Sequence, residues 1–151
     1  MDAPFYHSYN LKVGAEVNVF SASSGIILLA YQTEETRNTM IDQCQDAKDI
    51  GMVQLALKLN NIRLMGFEEV GSYMVKGVYN LSAPVLDPNE RAVAALTIPF
   101  LAKLNSTRTE RRQAREHLVE IARELTKSIG RTEYPESSWT TDKVDGHPIS
   151  C

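Results

Sequence analysis

Gly77-Val-Tyr-Asn-Leu-Ser-Ala-Pro-Val-Leu-Asp-Pro-Asn-Glu-Arg-Ala-Val-Ala-Ala-Leu-Thr-Ile-Pro99 reads as two strands joined by a tight turn, and that reading decides the fold. Asp87-Pro88-Asn89 supplies the turn: Pro88 presets φ, while Asp87 and Asn89 are able to bond back to nearby backbone. Side chains alternate in character on both sides of it, as strands require. Asn80, Ser82 and Pro84 share one face of the first strand, with Tyr79, Leu81, Ala83 and Val85 on the other. In the second strand Ala95, Thr97 and Pro99 oppose Leu96, Ile98 and Phe100. One face of the hairpin is therefore large and apolar and calls for a packed helix. The other is small and partly polar, which leaves space beside hydrogen-bonding groups, as in the lining of a small-molecule pocket.

Outward from the hairpin, the pattern predicts a strand near Phe5 to Leu11 and an extended loop from Lys12 to Phe20. A helix begins at Ser23 or Ser24 and runs to about Tyr31; Thr33-Glu-Glu opens a second, to about Gln43. Asp46 or Asp49 is placed to cap a third that runs to Met65, with Met52, Leu55, Ala56, Leu59 and Ile62 or Arg63 on one buried face. Gly66 stops it. Strands follow at Phe67–Val75, Val78–Leu86 and Arg91–Leu101. A last helix opens at a capping box, Thr107 with Glu110, and carries Leu118, Ile121, Ala122, Leu125 and Ile129 to pack on Leu96, Ile98 and Phe100 before Gly130 ends it. The segment 131–151 is polar and aperiodic, although Tyr134 and Trp139 are able to dock on a neighbour. Its removal is expected to cost little stability while Leu125 and Ile129 stay packed. The architecture is α+β, an antiparallel sheet with its last helix on one face and a small-molecule pocket on the other.

Several of these residues also resemble a known family. Gly14, Ser21-Ala22-Ser23-Ser24-Gly25 before the apolar Ile26-Ile27-Leu28-Leu29-Ala30, Gly66-Phe67, the run from Gly77 to Asp87, and Ala94-Ala95-Leu96-Thr97 follow an order and spacing similar to the C-terminal effector-binding domain of IclR-family transcriptional regulators, a GAF-like fold. The resemblance covers about residues 4 to 130, so residues 1–130 are read as the effector-binding domain and 131–151 as a tail. It implies a domain entered late, lacking its opening helix and first strand or two, and hence a piece of a longer protein. The missing N-terminal part would carry a winged helix-turn-helix, through which alone DNA is bound. It also implies homodimers or homotetramers.

Composition excludes rather than identifies. The 151 residues amount to one domain, and 16 basic against 19 acidic side chains give a net charge of −3, with no general attraction to phosphates. Operator binding by this chain alone is not expected. The basic cluster Arg108, Arg111, Arg112 and Arg115 is interleaved with Glu110 and Glu116 and reads as a solvated helix face with ion pairs. Two cysteines and three histidines without close spacing suggest neither a metal site nor a disulfide scaffold, and no cofactor is expected. With no signal peptide and no apolar run long enough to span a bilayer, a cytoplasmic location without membrane contact is expected.

The chemistry concentrates at Ser23-Ser24-Gly25, where a helix start offers unpartnered N–H groups and a partial positive charge to an anion. Capping of the helix by Ser23 or Ser24 is the simpler use of the same residues. The IclR resemblance implies an effector site at this turn, formed by Ser23, Ser24 and Gly25 with Val70, Asn80, Thr97 and Pro99. Similar domains that sense small oxo-acids tend to place a carboxylate where Val70 stands and a hydroxyl where Pro99 stands. Fewer polar groups here imply a carboxylic acid with an apolar body. The alternatives are a GAF-type sensory module of another signalling protein and a serine hydrolase. The hydrolase lacks a Gly-x-Ser-x-Gly elbow around Ser24, and His7, His117 and His147 are poorly placed as its base. Glu68-Glu69, adjacent on a strand, point to opposite faces and read as a solvated strand end rather than an acid–base pair. No enzymatic activity is expected.

Overall fold

Three strands form one antiparallel sheet in the order β1 (Glu68–Gly71), β2 (Val78–Leu86) and β3 (Ala92–Leu101) in the computed structural model. The structure describes residues 18–44, 51–72, 76–102 and 108–130. The first strand expected near Phe5 to Leu11, the Asp46 and Asp49 caps, the Thr107 capping residue and the segment 131–151 lie outside them. The hairpin register sets Asn80 against Pro99, Ser82 against Thr97 and Pro84 against Ala95, so the small polar face forms as read. β1 extends it, pairing Val70 with Asn80 and Glu68 with Ser82.

Asp87 organises the turn by itself. Its Oδ1 accepts the backbone N–H groups of Asn89 and Arg91, both at 2.9 Å, and Oδ2 accepts from Arg91 Nε at 3.0 Å. Those bonds, led by the one from the Arg91 N–H, hold the carboxyl below its usual range. Asn89 contributes its main chain rather than its amide. Glu90 follows at φ 65°, a left-handed conformation that a residue with a Cβ adopts at a cost.

Both faces of the sheet are covered by helices. α1 (Ser23–Ala30) crosses the small face, α3 (Met52–Met65) packs on α1, and α2 (Glu34–Asp42) adds Ile41 to the same core. Ile26, Ile27, Leu29, Ile41, Leu59 and Ile62 join Leu86 in this first core. Part of the face expected to be left to a ligand is thus occupied by α1. Thr33 caps α2, accepting the Thr36 N–H at 3.2 Å. α3 begins later than expected, with Gly51 as its N-cap rather than an aspartate. Its buried residues are Leu55, Leu59 and Ile62, whereas Met52 and Ala56 are exposed. Gly66 ends it at φ 79°, donating its N–H to the Ile62 carbonyl at 2.8 Å.

α4 (Arg108–Ser128) packs on the apolar face, where Leu118, Val119 and Ala122 meet Phe67, Leu81 and Ala83, flanked by Leu96, Ile98 and Phe100. Its buried stripe is Arg115, Leu118, Val119, Ala122 and Thr126. Ile121, Leu125 and Ile129, expected inside, are 49%, 41% and 44% exposed. Two polar residues turn the helix this way. Thr126 Oγ1 accepts the Leu86 N–H at 3.0 Å, and Arg115 reaches Glu69 at 3.1 Å. The packing of Leu125 and Ile129 therefore gives no support to the expected tolerance of tail removal.

Candidate functional site

The chain enters α1 through a loop held by Asn18, whose Oδ1 accepts the N–H groups of Phe20 at 2.9 Å and Ser21 at 3.2 Å. The N-cap is Ala22, which has no side-chain oxygen, so neither Ser23 nor Ser24 caps the helix and no side chain does. No side-chain oxygen accepts a capping hydrogen bond from the N–H groups at the positive end of α1. The loop folds Val19 back onto the first turn, and a Cβ built at Gly25 would lie 2.4 Å from the Val19 carbonyl oxygen. Close approach at Gly25, expected for a ligand, is made by the protein's own backbone.

Ser23 turns to the sheet instead. Ser82 Oγ donates to Ser23 Oγ at 2.7 Å and lies 2.8 Å from Thr97 Oγ1. A hydroxyl carries one proton, so with Ser82 donating to Ser23, Thr97 donates to Ser82. Three hydroxyls from α1, β2 and β3 thus form one chain at the entry to α1. Next to it on the same face runs the cross-strand row Val70, Asn80, Pro99, with Val70 and Asn80 half-buried and Pro99 exposed. Neither the Asn80 amide nor the Ser24 hydroxyl bonds to another described residue. Of the expected site residues, Ser23 and Thr97 are joined through Ser82, which sequence reasoning left out. Ser82 was legible only as a member of the small face.

The two glutamates of β1 do point to opposite faces, and each is ion-paired rather than solvated. Glu68 meets Lys58 of α3 at 3.0 Å, and Glu69 meets Arg111 at 2.6 Å and Arg115 at 3.1 Å. The basic cluster of α4 is correspondingly less solvated than expected. Arg115 is buried with its guanidinium 4.6 Å from the Phe67 ring centre, and Arg111 stacks over Tyr79 at 4.1 Å. His117 is exposed on α4, so the sheet stands between it and Ser24; His7 and His147 lie outside the described residues. Among the described residues, no group of three or more His, Cys, Asp or Glu side chains is placed to hold a metal ion.

A groove of about 380 Å³ opens at the other end of α1, lined by Tyr31, Gln32, Thr33 and Arg63 on one side and by Asn89, Glu90 and Arg91 of the β2–β3 turn on the other. It brings together three separate stretches of chain, and no local pattern announced it. The turn after α1 is stitched to β3: the Tyr31 carbonyl accepts the Ala92 N–H at 3.1 Å, and Gln32 Nε2 donates to the Ala92 carbonyl at 2.8 Å. Two arginines complete the negative end of α1. Arg37 donates to the carbonyls of Leu29 and Gln32, and Arg63 to those of Ala30 and Gln32. Burial pushes the Tyr31 phenol up to about 12 against the opposing pull of Arg63, so it stays a protonated donor.

Solved structures similar to this chain include Pseudomonas aeruginosa HmgR, with a TM-score of 0.65 at 23% identity over 82% of this chain and 49% of that one. The Agobacterium tumefaciens repressor BlcR gives 0.63 at 18% identity over 82% of this chain and 52% of its own. The C-terminal domain of the E. coli transcriptional regulator KdgR gives 0.60 at 20% identity, covering 74% of this chain and 71% of that domain. These likenesses concern the fold, and the chain spans about half the length of HmgR and BlcR. A comparison with curated protein sequences finds no match. No helix among the described residues is long and apolar enough to cross a membrane. The family model of the bacterial transcriptional regulator IclR C-terminal domain matches residues 5–131, and the chain belongs to that family of regulators.

Proposed function

We propose that this domain binds a small carboxylate-bearing effector with an apolar body. The binding would control oligomeric state and, through it, DNA binding by an N-terminal winged helix-turn-helix of the whole regulator in the cytoplasm. The observation that supports the reading is the uncapped start of α1 beside the Ser23–Ser82–Thr97 hydroxyl chain and the half-buried Val70–Asn80–Pro99 row. The helix end and hydroxyls suit a carboxylate, while Val70 and Pro99 offer apolar surface. An effector that binds one arrangement of subunits more tightly than another shifts the population toward it, and the spacing of the paired DNA-binding parts follows. Homodimers or homotetramers are the assemblies through which this would act.

Calorimetric titration with acids of increasing apolar size tests the ligand class. A phenyl body that buries about 100 Å² gains roughly 2.5 kcal/mol, whereas the smallest acids find too few partners to replace their water. Benzoate and longer aryl acids are expected to bind tighter than glyoxylate or pyruvate. Ser24→Ala is expected to weaken benzoate by about five-fold, near 1 kcal/mol, because backbone donors survive. Tighter binding of glyoxylate or pyruvate than of any aryl acid would contradict the ligand class.

A further inference from the structure

Ser82 is fully buried in the middle of the small face, where its hydroxyl links Ser23 of α1 to Thr97 of β3. The link has a direction. The Ser82 proton goes to Ser23 and the Thr97 proton goes to Ser82, so two of the three protons are spent inside the chain and the Ser23 proton is the one left over. Ser23 accepts from Ser82 and donates to no described residue. It is buried, and it opens α1, where the first N–H groups have no partner within the helix. Glu68 stands opposite Ser82 in the same cross-strand row, and its charge is met by Lys58 at 3.0 Å. The pair as a whole is neutral, so it does not repel an anion at the start of α1.

On the reading of this face as the effector site, on which the inference rests, we propose that Ser82 is a positioning residue that makes the site selective for an ionised carboxylate over its uncharged isosteres. Ser82 acts through Ser23 and does not itself meet the effector. Because Ser23 is held as an acceptor from the sheet side, its own O–H turns away from the sheet. A carboxylate only accepts, and it takes that O–H together with the N–H groups that open α1. Each hydroxyl that receives a proton donates more strongly in turn, so Thr97 and Ser82 reinforce the bond that Ser23 makes to a charged acceptor. A carboxamide of the same shape brings an NH2 group to the same place. There it faces donors, and one of the two Ser23 lone pairs is already taken by Ser82. A chain running the other way would spend the Ser23 proton on the sheet and turn only lone pairs to the ligand, which repels a carboxylate.

The test titrates benzoate into the full 151-residue chain by calorimetry and measures benzamide by displacement of benzoate, in wild type, Ser82→Ala and Ser82→Thr. Wild type is expected to bind benzoate at least about ten-fold tighter than benzamide, the advantage of a charged over a neutral acceptor. Ser82→Ala should cut that ratio by roughly five-fold, weakening benzoate and leaving benzamide unchanged, because Ser23 is then free to turn a lone pair to the amide. Ser82→Thr keeps the hydroxyl and should restore the wild-type ratio. A loss of packing alone lowers the melting midpoint or weakens both ligands equally, and leaves the ratio where it was. An unchanged ratio in Ser82→Ala, or an equal fall in Ser82→Thr, with benzoate still bound, would overturn the role of Ser82 and leave the effector reading standing. No binding of benzoate to the wild type, or binding insensitive to Asn80→Leu, would overturn the effector reading and the role of Ser82 with it.

Discussion

Gly25→Ala is expected to destabilise the domain by about 3 kcal/mol or more, the upper range of overpacking, and to lower its melting midpoint by roughly 10 °C. The added methyl would meet the Val19 carbonyl oxygen at 2.4 Å, its Cα at 2.6 Å and its carbonyl carbon at 2.8 Å, all main-chain atoms. A flexible side chain can swing away from such a contact; this backbone is tied to α1 by the Ala22 N–H bond to the Asn18 carbonyl at 3.0 Å. Relief requires the 18–22 turn and the first turn of α1 to separate, which would also pull Ser23 from Ser82. Thermal melts followed by circular dichroism measure the effect. A midpoint within a degree or two of the wild type would show that the turn yields easily. The position is for this reason a poor place to probe a ligand, since any larger side chain there reports on folding first.

Glu69→Ala comes next in size. Its carboxylate holds both Arg111 and Arg115, and the Arg115 side chain is 7% exposed. Removing the acid takes the Glu69 carboxylate away from a buried guanidinium beside Phe67, and breaking a buried pair from one side costs about 3 kcal/mol. The neighbouring Glu68→Ala serves as the contrast, because its partner Lys58 has 42% of its side chain exposed. Water and salt screen that pair, so about 1 kcal/mol or less is expected. Urea denaturation of both variants checks the difference, and equal losses would mean that Glu69 does no more than a surface ion pair.

The hairpin was legible because alternation and the Asp87-Pro88 turn act locally, and its register follows from turn and pattern together. Gly66 as the stop of α3 was legible for the same reason. The burial face of α4 was not. Leu118 and Ala122 fit two overlapping stripes, and counting apolar types chose the one through Ile121, Leu125 and Ile129. The fold chose the stripe in which Arg115 and Thr126 find polar partners on other elements, Glu69 of β1 and the Leu86 N–H of β2. Partners of that kind depend on strand pairing and cannot be read from one helix. For the site, the serines at the start of α1 and the small face of the hairpin were visible as separate features. That Ser82 joins them, that Ala22 leaves the helix uncapped, and that Val19 occupies the space beside Gly25 are products of how α1 lies across the sheet. The groove at Tyr31 depends on three stretches of chain meeting, with the left-handed Glu90 its single local trace.

Asn80 offers the most direct trial of an effector site on the small face, because its amide is half-buried, free of described partners and outside both cores. Asn80→Leu replaces that amide with apolar bulk between Val70 and Pro99 while leaving the Ser23–Ser82–Thr97 chain in place. Calorimetric titration of benzoate into wild type and variant is expected to show a loss of at least about ten-fold, the worth of a lost charged hydrogen bond plus steric filling, with the melting midpoint unchanged. Benzoate binding of equal strength to both proteins would contradict an effector site on this face.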